Sequence, residues 1–252
     1  MIYKFLPKCV TRKLWGDREK YGLIPDESDA DWQSWQQRYA EEFYPQFQTN
    51  GIVGKATNQS YNIVSEIDFR GKEVLEIGPG LIGYLPYLND KPQKFTLCDI
   101  KEEFLIASAQ QLADHKIPYE KVQLVIQNKP KLPFPDNSFD IIISFFNLEH
   151  LYPLDDYIQE ISRVLKGNGM LVGAIPCEGG LAWGLGRLLT THRYYQRQGI
   201  DYNKVICWEH PNFADYIVAQ LNAAFNRVCL KSFPFPFLSF DFNIFVKFIY
   251  QK

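Results

Sequence analysis

The chain has 252 residues, of which 46% are hydrophobic and 22% charged, ordinary values for a globular protein with one large α/β domain and attached segments. Its 27 basic and 29 acidic residues leave a net charge of -2, so there is no global positive field to attract nucleic acid, and no nucleic-acid partner is expected. The five cysteines are scattered and form no CxxC pair, which argues against a zinc knuckle or a disulfide framework.

The first residues mix basic side chains with short apolar stretches, and this differs from the continuous apolar segment of a secretory leader. The nearest candidate for a membrane-spanning helix, Leu181–Leu189, is short and is interrupted by Gly184, Gly186 and Arg187. The sequence therefore predicts a cytoplasmic protein without a transmembrane segment.

Residues 1–70 are rich in Trp, Gln, Tyr and Glu and are predicted to form an N-terminal helical cap. Within them, Asp29–Phe47 carries aromatic residues at steps of three and four, a spacing typical of one face of a helix: Trp32, Trp35, Tyr39 and Phe43. Two interpretations stay open. The aromatic stripe docks on the main domain, or the segment covers a ligand site where two parts of the chain meet.

From residue 71 onward, apolar runs alternate with helical patterns. The predicted strands are Val74–Ile77, Phe95–Cys98, Val122–Ile126, Ile141–Phe145 and Met170–Ile175. The predicted helices are Gly80–Leu88, Glu102–Asp114 and Asp155–Leu165, the last ended by Lys166-Gly167-Asn168-Gly169. This alternation predicts a doubly wound, Rossmann-like α/β fold with a mostly parallel sheet.

The C-terminal part departs from this alternation. A helix is predicted over Phe213–Phe225 with Asn212 as its N-cap, followed by strands over Arg227–Ser232 and Phe242–Tyr250. Because only a loop joins these two strands, they must pair antiparallel or lie apart, and we expect an antiparallel strand near the sheet edge. Before this helix lies a long insertion, Gly179–Pro211, whose aromatic content argues against disorder and favours a functional lid.

A glycine-rich turn follows the first predicted strand. Gly78, Gly80 and Gly83 let a ligand approach the backbone closely and match the pattern G-x-G-x-x-G, which predicts a nucleoside-containing ligand without identifying it. Glu76 lies inside the strand, where a buried carboxylate is costly unless a partner such as a cationic amino-acid group satisfies it. Asp99 ends the next strand, where it can accept hydrogen bonds from both ribose hydroxyls or cap the following helix.

Further blocks follow in a fixed order. They are Leu132–Asp140, Asn147–Leu151, and Glu160–Lys166 with Gly167 and Gly169. Together with Val74–Gly80 and Asp99, they resemble the class I S-adenosylmethionine-dependent methyltransferases of the UbiE and type 11 group, over roughly residues 71–176. The resemblance implies a seven-stranded sheet with a reversed last strand. Residues 71–252 would then be the methyltransferase domain and 179–211 its insertion.

The resemblance also implies a set of cofactor-binding residues. These are Glu76, Gly78, Pro79 and Gly80 for the methionine part, Asp99 and Ile100 for the ribose, Asn128 for the adenine, and Phe145 and Asn147 beside the sulfur. Relatives often have an acidic residue at the position of Asn128, whose amide oxygen can still accept a hydrogen bond from the adenine amine. Gly83 lies one position later than the third glycine of relatives, so a slightly altered turn is expected.

Candidate catalytic residues lie after the fourth strand and in the insertion. They are His150, Arg193, Tyr194, Glu209 and His210. A neutral histidine can accept a proton near pH 7, although His150 can equally be structural, and positioning alone suffices for an acceptor that is already nucleophilic. The insertion leaves the carboxyl end of a strand, which predicts that it forms the acceptor pocket; a structural flap or a homodimer contact is the alternative.

These observations predict an enzyme that transfers the methyl group of S-adenosylmethionine to a small polar acceptor such as a sugar or nucleotide-sugar, with S-adenosylhomocysteine as the product. A nicotinamide-dependent oxidoreductase and a non-catalytic cofactor-binding member of the fold stay open as alternatives. Metal-independent chemistry is predicted because the cysteines and histidines show no ligand spacing. A carboxylate-rich magnesium site formed only in three dimensions would leave no such spacing.

Overall fold

The computed structural model describes residues 1–39, 57–125 and 130–252. Its centre is a seven-stranded sheet with the strand order β3-β2-β1-β4-β5-β7-β6. The strands are β1 (Glu73–Ile77), β2 (Lys94–Asp99), β3 (Tyr119–Gln123), β4 (Phe139–Phe145), β5 (Leu165–Pro176), β6 (Asn226–Phe233) and β7 (Phe245–Gln251). The first five strands pair in parallel, and β7 runs antiparallel to both β5 and β6. This topology confirms the predicted α/β fold with its reversed C-terminal strand.

Helices cover both faces of the sheet and form a separate layer at one end. They are α1 (Lys8–Trp15), α2 (Arg18–Tyr21), α3 (Ala30–Arg38), α4 (Glu102–Asp114), α5 (Leu154–Val164), α6 (Leu181–Leu189), α7 (Thr191–Arg197), α8 (Tyr202–Glu209) and α9 (Ala214–Ala224). Residues 57–61 are also helical, and short 3-10 turns occur at Ile2–Phe5, Asn62–Glu66, Leu85–Tyr87 and Phe240–Phe242. No helix in the described part of the chain has the length and apolar character needed to cross a membrane.

Two predicted helical features are wrong. The segment Gly80–Leu88 is a loop that ends in the 3-10 turn Leu85–Tyr87, because Pro86 lacks an amide hydrogen and disfavours helical geometry at the residue before it. Asn212 does not cap α9, whose N-cap is Phe213 without a side-chain hydrogen bond. The Asn212 amide instead donates to the carbonyls of the loop after β4, at 3.1 Å from Leu148 and 2.6 Å from Leu151.

Three strand boundaries also differ from the prediction by three residues or more. β5 begins at Leu165 and not at Met170, because Leu165 already pairs with Phe139 of β4, so the predicted helix stop Lys166–Gly169 lies inside this strand. The third strand begins at Tyr119, directly after Pro118, because its register aligns Tyr119 with Phe95 of β2. The predicted end of this strand, Ile126, lies outside the described residues. The last strand begins at Phe245 because the preceding residues form the 3-10 turn Phe240–Phe242.

The central strands β1, β2 and β4 are buried on both faces, as expected for parallel strands whose successive side chains point to opposite sides. Leu75 and Ile77 belong to one hydrophobic core, which α5 and α9 complete. Val74 belongs to the other core, which is completed by α4 and by Ile63 and Phe69. The carboxyl ends of β1, β2 and β4 therefore meet along one edge of a rigid sheet.

The N-terminal helices pack against the insertion that follows β5. Trp32 and Trp35 of α3 share a hydrophobic cluster with Trp208 of α8, and the rings of Trp32 and Trp208 lie 5.8 Å apart. The Trp15 indole N–H donates to the carbonyl of Gly180 at 3.3 Å. The aromatic stripe predicted over Asp29–Phe47 thus docks on the insertion as far as it is described; its C-terminal part, including Phe43, lies outside the described residues.

Candidate active site

The glycine turn follows β1 directly, and Gly78 and Gly80 have a backbone conformation with positive φ that favours glycine. Gly78 has φ +68°, and a Cβ there would lie 2.4 Å from the side-chain Oδ1 of Asn147. Gly80 has φ +52°. The Nδ2 atom of Asn147 is buried and has no hydrogen-bond partner among the described residues. An unsatisfied donor therefore lies against the backbone of the turn, where a ligand could accept from it.

Side chains of α4 fix the turn. The Ser108 hydroxyl donates to the carbonyl of Gly80 at 2.7 Å, and the Ile82 amide donates to Oε1 of Gln111 at 2.8 Å. Gly83 lies under the ring of Tyr61, which a Cβ would approach to 2.2 Å. Sequence reasoning missed these three supporting residues. The one available signal was the three-residue spacing of Ser108 and Gln111, which places both on one face of a helix.

Glu76 is buried in β1, and the hydroxyl of Tyr84 donates a hydrogen bond to its Oε2 atom. Burial raises the pKa of Glu76 to about 8, although the Tyr84 hydrogen bond opposes this rise. The carboxyl group is therefore mostly protonated at neutral pH, and a cationic group placed next to it would favour its ionised form. Sequence reasoning found Glu76 but not Tyr84.

Asp99 ends β2 and is also buried, and its Oδ1 atom accepts a hydrogen bond from the Lys101 amide at 2.8 Å. Burial raises its pKa to about 6, against the effect of the neighbouring backbone amides. An open groove of about 510 Å³ lies beside it at the ends of β2 and β3, lined by Ile100, Lys101, Gln123, Leu124 and Val125. Asn128, the predicted adenine contact, lies outside the described residues.

Phe145 ends β4 and points into the second core. Its ring lies 5.0 Å from that of Tyr61 and 5.6 Å from that of Tyr84. Phe145 therefore supports the same two tyrosines that contact Gly83 and Glu76. Phe146 has φ +51°, and the chain turns there before Asn147 reaches Gly78.

A second polar cluster lies where the loop after β4 meets the insertion. It contains Glu149, His150, Glu178, Glu209 and His210. The Nδ1 atom of His150 contacts the backbone carbonyl of Glu209 at 2.6 Å, and Nδ1 of His210 contacts Oε2 of Glu178 at 2.5 Å. The two imidazole rings lie 4.6 Å apart. The structure thus brings His150, Glu209 and His210, three of the five predicted catalytic residues, into one place.

The two histidines have opposite electrostatic environments. Burial and the nearby His210 lower the pKa of His150 to about 3. Burial also disfavours the charged form of His210, but Glu178 and Glu209 outweigh it and raise its pKa to about 9. Near neutral pH His150 is therefore neutral and His210 carries a proton, which balances part of the negative charge of the surrounding carboxylates.

The carboxyl groups of the cluster are deeply buried. Burial raises the pKa of Glu149 to about 8, and its Oε2 atom has no hydrogen-bond partner among the described residues. Burial also raises the pKa of Glu209, whose Oε2 accepts a hydrogen bond from Tyr202 at 2.8 Å. Glu178 pairs with Arg18 of α2 at 3.1 Å, so the N-terminal segment takes part in the cluster.

The other two catalytic candidates lie on α7. Arg193 is exposed, and the ring of Tyr194 packs 5.6 Å from that of Tyr195 in the aromatic cluster of the N-terminal helices. Sequence reasoning missed Glu149 and Glu178. Their signals were their positions, since Glu149 precedes a candidate histidine and Glu178 lies two residues after the carboxyl end of β5.

Part of the chain is similar in sequence to known methyltransferases. A family model described as a methyltransferase domain matches residues 75–173. The C-methyltransferase UbiE of ubiquinone and menaquinone biosynthesis from Hahella chejuensis is 34% identical over 105 residues, which are 40% of this chain and 42% of that protein. A probable S-adenosylmethionine-dependent methyltransferase from Mycobacterium tuberculosis is 36% identical over 58 residues, 23% of this chain and 21% of that protein. The chain thus spans less than half the length of the curated relatives it matches.

Solved structures share the fold at low sequence identity. A protein from Pyrococcus horikoshii superposes with a TM-score of 0.57 at 18% identity, covering 84% of this chain and 98% of that one. An S-adenosylmethionine-dependent methyltransferase from Mesorhizobium loti superposes with a TM-score of 0.54 at 15% identity, covering 79% of this chain and 99% of that one. The family model does not reach the segment 179–211, because its match ends at residue 173.

Proposed function

We propose that this chain, whose residues 75–173 match a family model described as a methyltransferase domain, transfers the methyl group of S-adenosylmethionine to a small polar acceptor. The observation that carries this proposal is the glycine turn at the end of β1: Gly78 has no side chain, and the Asn147 side chain, whose buried Nδ2 donor has no hydrogen-bond partner among the described residues, packs against it. Two carboxyl groups support the proposed cofactor. Glu76 is buried and would be satisfied by a cationic group, and Asp99 lies beside an open groove.

These residues fit the parts of the cofactor. Glu76 and the turn Gly78-Pro79-Gly80 would hold the methionine part, with the Asn147 amide as a donor to its carboxylate. Asp99 would accept from the ribose hydroxyls, with Ile100 bordering the groove. When bound, S-adenosylmethionine supplies an electrophilic methyl group, and this chain's residues contribute by holding it and by aligning the acceptor.

The acceptor site that we propose is the second polar cluster. Glu149 and His150 follow Asn147 by only two and three residues, so the chain itself keeps them within about 11 Å of the turn. His150 is neutral, and its Nε2 atom can accept a hydrogen bond from an acceptor hydroxyl. Glu209 and His210 belong to the same cluster, and Trp183, whose ring lies 6.0 Å from that of His210, would offer an aromatic face suited to a sugar.

The identity of the methyl acceptor cannot be inferred from the relatives. The match to UbiE covers 105 residues, whereas the proposed acceptor site also uses His210 of the insertion and Arg18 of α2. A sugar or nucleotide-sugar therefore stays our proposal for the acceptor class, and Arg193 and Tyr194, which lie on α7, are proposed to act only at its outer rim.

Calorimetric titration tests the cofactor assignment. The purified protein should bind S-adenosylmethionine and S-adenosylhomocysteine but not NADH, which a nicotinamide-dependent oxidoreductase would bind. Asp99→Ala should weaken S-adenosylhomocysteine binding by about 1–3 kcal/mol, because ribose hydroxyls lose their buried acceptor. The matched control is Asp114→Ala, an exposed carboxylate at the end of α4. Equal affinities of both variants would contradict the assignment.

A further inference from the structure

Three ligand-type side chains converge at the meeting point of the loop after β4 and the insertion. Glu149, His150 and His210 each offer one ligand atom, and these atoms lie within 4.8 Å of one another. His210 lies about sixty residues after Glu149 and His150 in the sequence, so the three residues form no recognisable metal-binding motif.

Both histidines are oriented by a partner on one ring nitrogen. Nδ1 of His150 faces the backbone carbonyl of Glu209, which can only accept, so this nitrogen carries the proton and Nε2 keeps its lone pair. Nδ1 of His210 faces the carboxylate of Glu178. A carbonyl or carboxylate behind one imidazole nitrogen is the arrangement that orients metal-ligating histidines in proteins.

The third side chain supplies the independent observation. Glu149 is 98% buried, with 2% of its surface exposed, yet its Oε2 atom has no hydrogen-bond partner among the described residues. Its Oε1 atom lies 4.0 Å from Nε2 of His150, beyond hydrogen-bonding distance. A buried carboxyl oxygen without a partner is costly, and a cation between these atoms would satisfy it by favouring the ionised carboxylate.

We propose that Glu149, His150 and His210 bind a divalent transition-metal ion of the Zn²⁺ class. Two imidazoles and one carboxylate suit Zn²⁺, Co²⁺ or Fe²⁺ better than Mg²⁺ or Ca²⁺, which prefer oxygen ligands. Three ligand atoms placed about 2.1 Å from a tetrahedral ion lie about 3.4 Å apart, so the side chains must converge by roughly an ångström or more. The fourth position would be open, and 31% of the His150 side chain is exposed, which gives an ion access.

Other charged groups face this site and complete its charge balance. Oε1 of Glu209 lies 3.7 Å from Nε2 of His210, and Arg18 pairs with Glu178 behind that histidine. Lys101 also acts electrostatically on His150 and Glu209. The ion would displace the proton of His210 and leave a site with two neutral imidazoles, a ligand carboxylate and a second carboxylate nearby.

The role of the ion rests on the proposed function, whereas its binding does not. With the ion bound, the Nε2 lone pair of His150 would be used as a ligand, and the open position of the ion would take the place of this nitrogen in binding an acceptor oxygen and holding it in line for transfer. The sequence-based prediction of metal-independent chemistry would then be wrong, because the metal site is built from residues that are distant in the sequence.

The test measures metal binding on the whole chain without an activity assay. Protein dialysed against a chelator is titrated with Co²⁺, whose visible absorption reports its ligands, and then with Zn²⁺ in competition. We expect one ion per chain, and a loss of affinity of at least tenfold in Glu149→Gln and in His150→Ala. His115→Ala removes an exposed histidine at the end of α4 and should bind like the wild type. X-ray absorption of the Zn²⁺-loaded wild type should count two imidazole ligands.

Three results would overturn the proposal: no saturable binding by the wild type, undiminished affinity in the two ligand variants, or fewer than two imidazole ligands. The last measurement needs no variant, so it holds even where a substitution impairs folding. Titration of the same metal-free protein with S-adenosylhomocysteine separates the two proposals. Cofactor binding without metal binding overturns only the metal site, and the reverse result overturns only the cofactor assignment.

Discussion

Glu76 shows how a single carboxyl group in a central strand is tolerated. Its neighbours in β1 are apolar and fully buried, and the hydroxyl of Tyr84 satisfies only one of its oxygens. The protein therefore holds it in the neutral form, with a pKa of about 8. Keeping such a group in a strand costs stability above neutral pH, and a function in binding a cation would explain that cost.

The pH dependence of Glu76→Gln follows from this pKa. Because the native state raises the pKa from 4.5 to about 8, the native state binds more protons between these values, and the contribution of Glu76 to stability falls as pH rises through this window. Glutamine stays neutral and can still accept from Tyr84. We expect similar stabilities near pH 4.5 and a variant that is more stable by a few kcal/mol near pH 8.5.

Urea unfolding at the two pH values measures this difference. Glu73→Gln, at the half-buried start of the same strand, is the control for general effects of removing a carboxylate from β1. If the difference between Glu76→Gln and the wild type does not grow with pH, then Glu76 is not a buried neutral acid in the free protein.

At the scale of elements, the helix α4 does more than cover one face of the sheet. Its bounds, Glu102–Asp114, agree with the predicted helix, because its apolar residues recur at helical spacing and no proline or glycine interrupts it. The same helix presents Ser108 and Gln111 to the glycine turn. The turn is therefore held by side chains of the next crossover and not by a helix of its own.

Removing one of these supports gives a direct test. Gln111→Ala leaves the Ile82 amide without its acceptor, and we expect a loss of stability of about 1–3 kcal/mol together with weaker binding of S-adenosylhomocysteine. Gln110→Ala changes the exposed neighbour on the same helix and should stay within about 0.5 kcal/mol of the wild type. Chemical denaturation and calorimetry of the pair measure both effects, and equal behaviour would show that Gln111 does not support the turn.

Local patterns predicted most of the sheet because each central strand is a short apolar run between polar segments. They failed where contacts distant in sequence decide the local structure. Asn212 is a good N-cap residue by type, but its amide is used by the carbonyls of Leu148 and Leu151 instead. The third strand starts at Tyr119, although residues there are mostly exposed, because pairing with β2 sets its register.

The candidate site divides in the same way. Glu76, Gly78 and Asp99 could be found because the chemistry of a strand-turn-helix pattern is local. Glu149 and Glu178 were missed despite their positions, because the partners that single them out, His210 for both and Arg18 for Glu178, lie far away in the sequence. The predicted roles of Arg193 and Tyr194 stay predictions.

At the scale of the whole molecule, Arg18 joins the N-terminal segment to the buried cluster. Its guanidinium donates to the carbonyls of Trp15 and His210 and to Glu178, and it lies 3.9 Å above the ring of Phe213. Arg18 of α2 thus links the cluster to a helix that lies about 160 residues before Glu178 in the sequence. A substitution in the cluster should therefore also affect the packing of the N-terminal helices.

Arg18→Met should destabilise the protein by about 3 kcal/mol, because Glu178 is fully buried and loses a charged partner. Arg193→Met, on the exposed surface of α7, is the matched control and should change stability by less than about 0.5 kcal/mol. Unfolding in denaturant measures both values. Similar stabilities of the two variants would mean that the N-terminal segment does not stabilise the cluster.

The place of β7 in the sheet constrains the order in which the molecule assembles. Among the strands that the structure describes, β6 pairs with β7 alone, and β7 pairs with β5. The earlier-synthesised β6 therefore lacks this partner until β7 has docked. During synthesis and refolding, β6 is an unpaired strand with apolar side chains such as Val228, which is exposed to 60% even in the native state. Unpaired strands associate with other chains, so recovery after dilution from denaturant should fall as protein concentration rises.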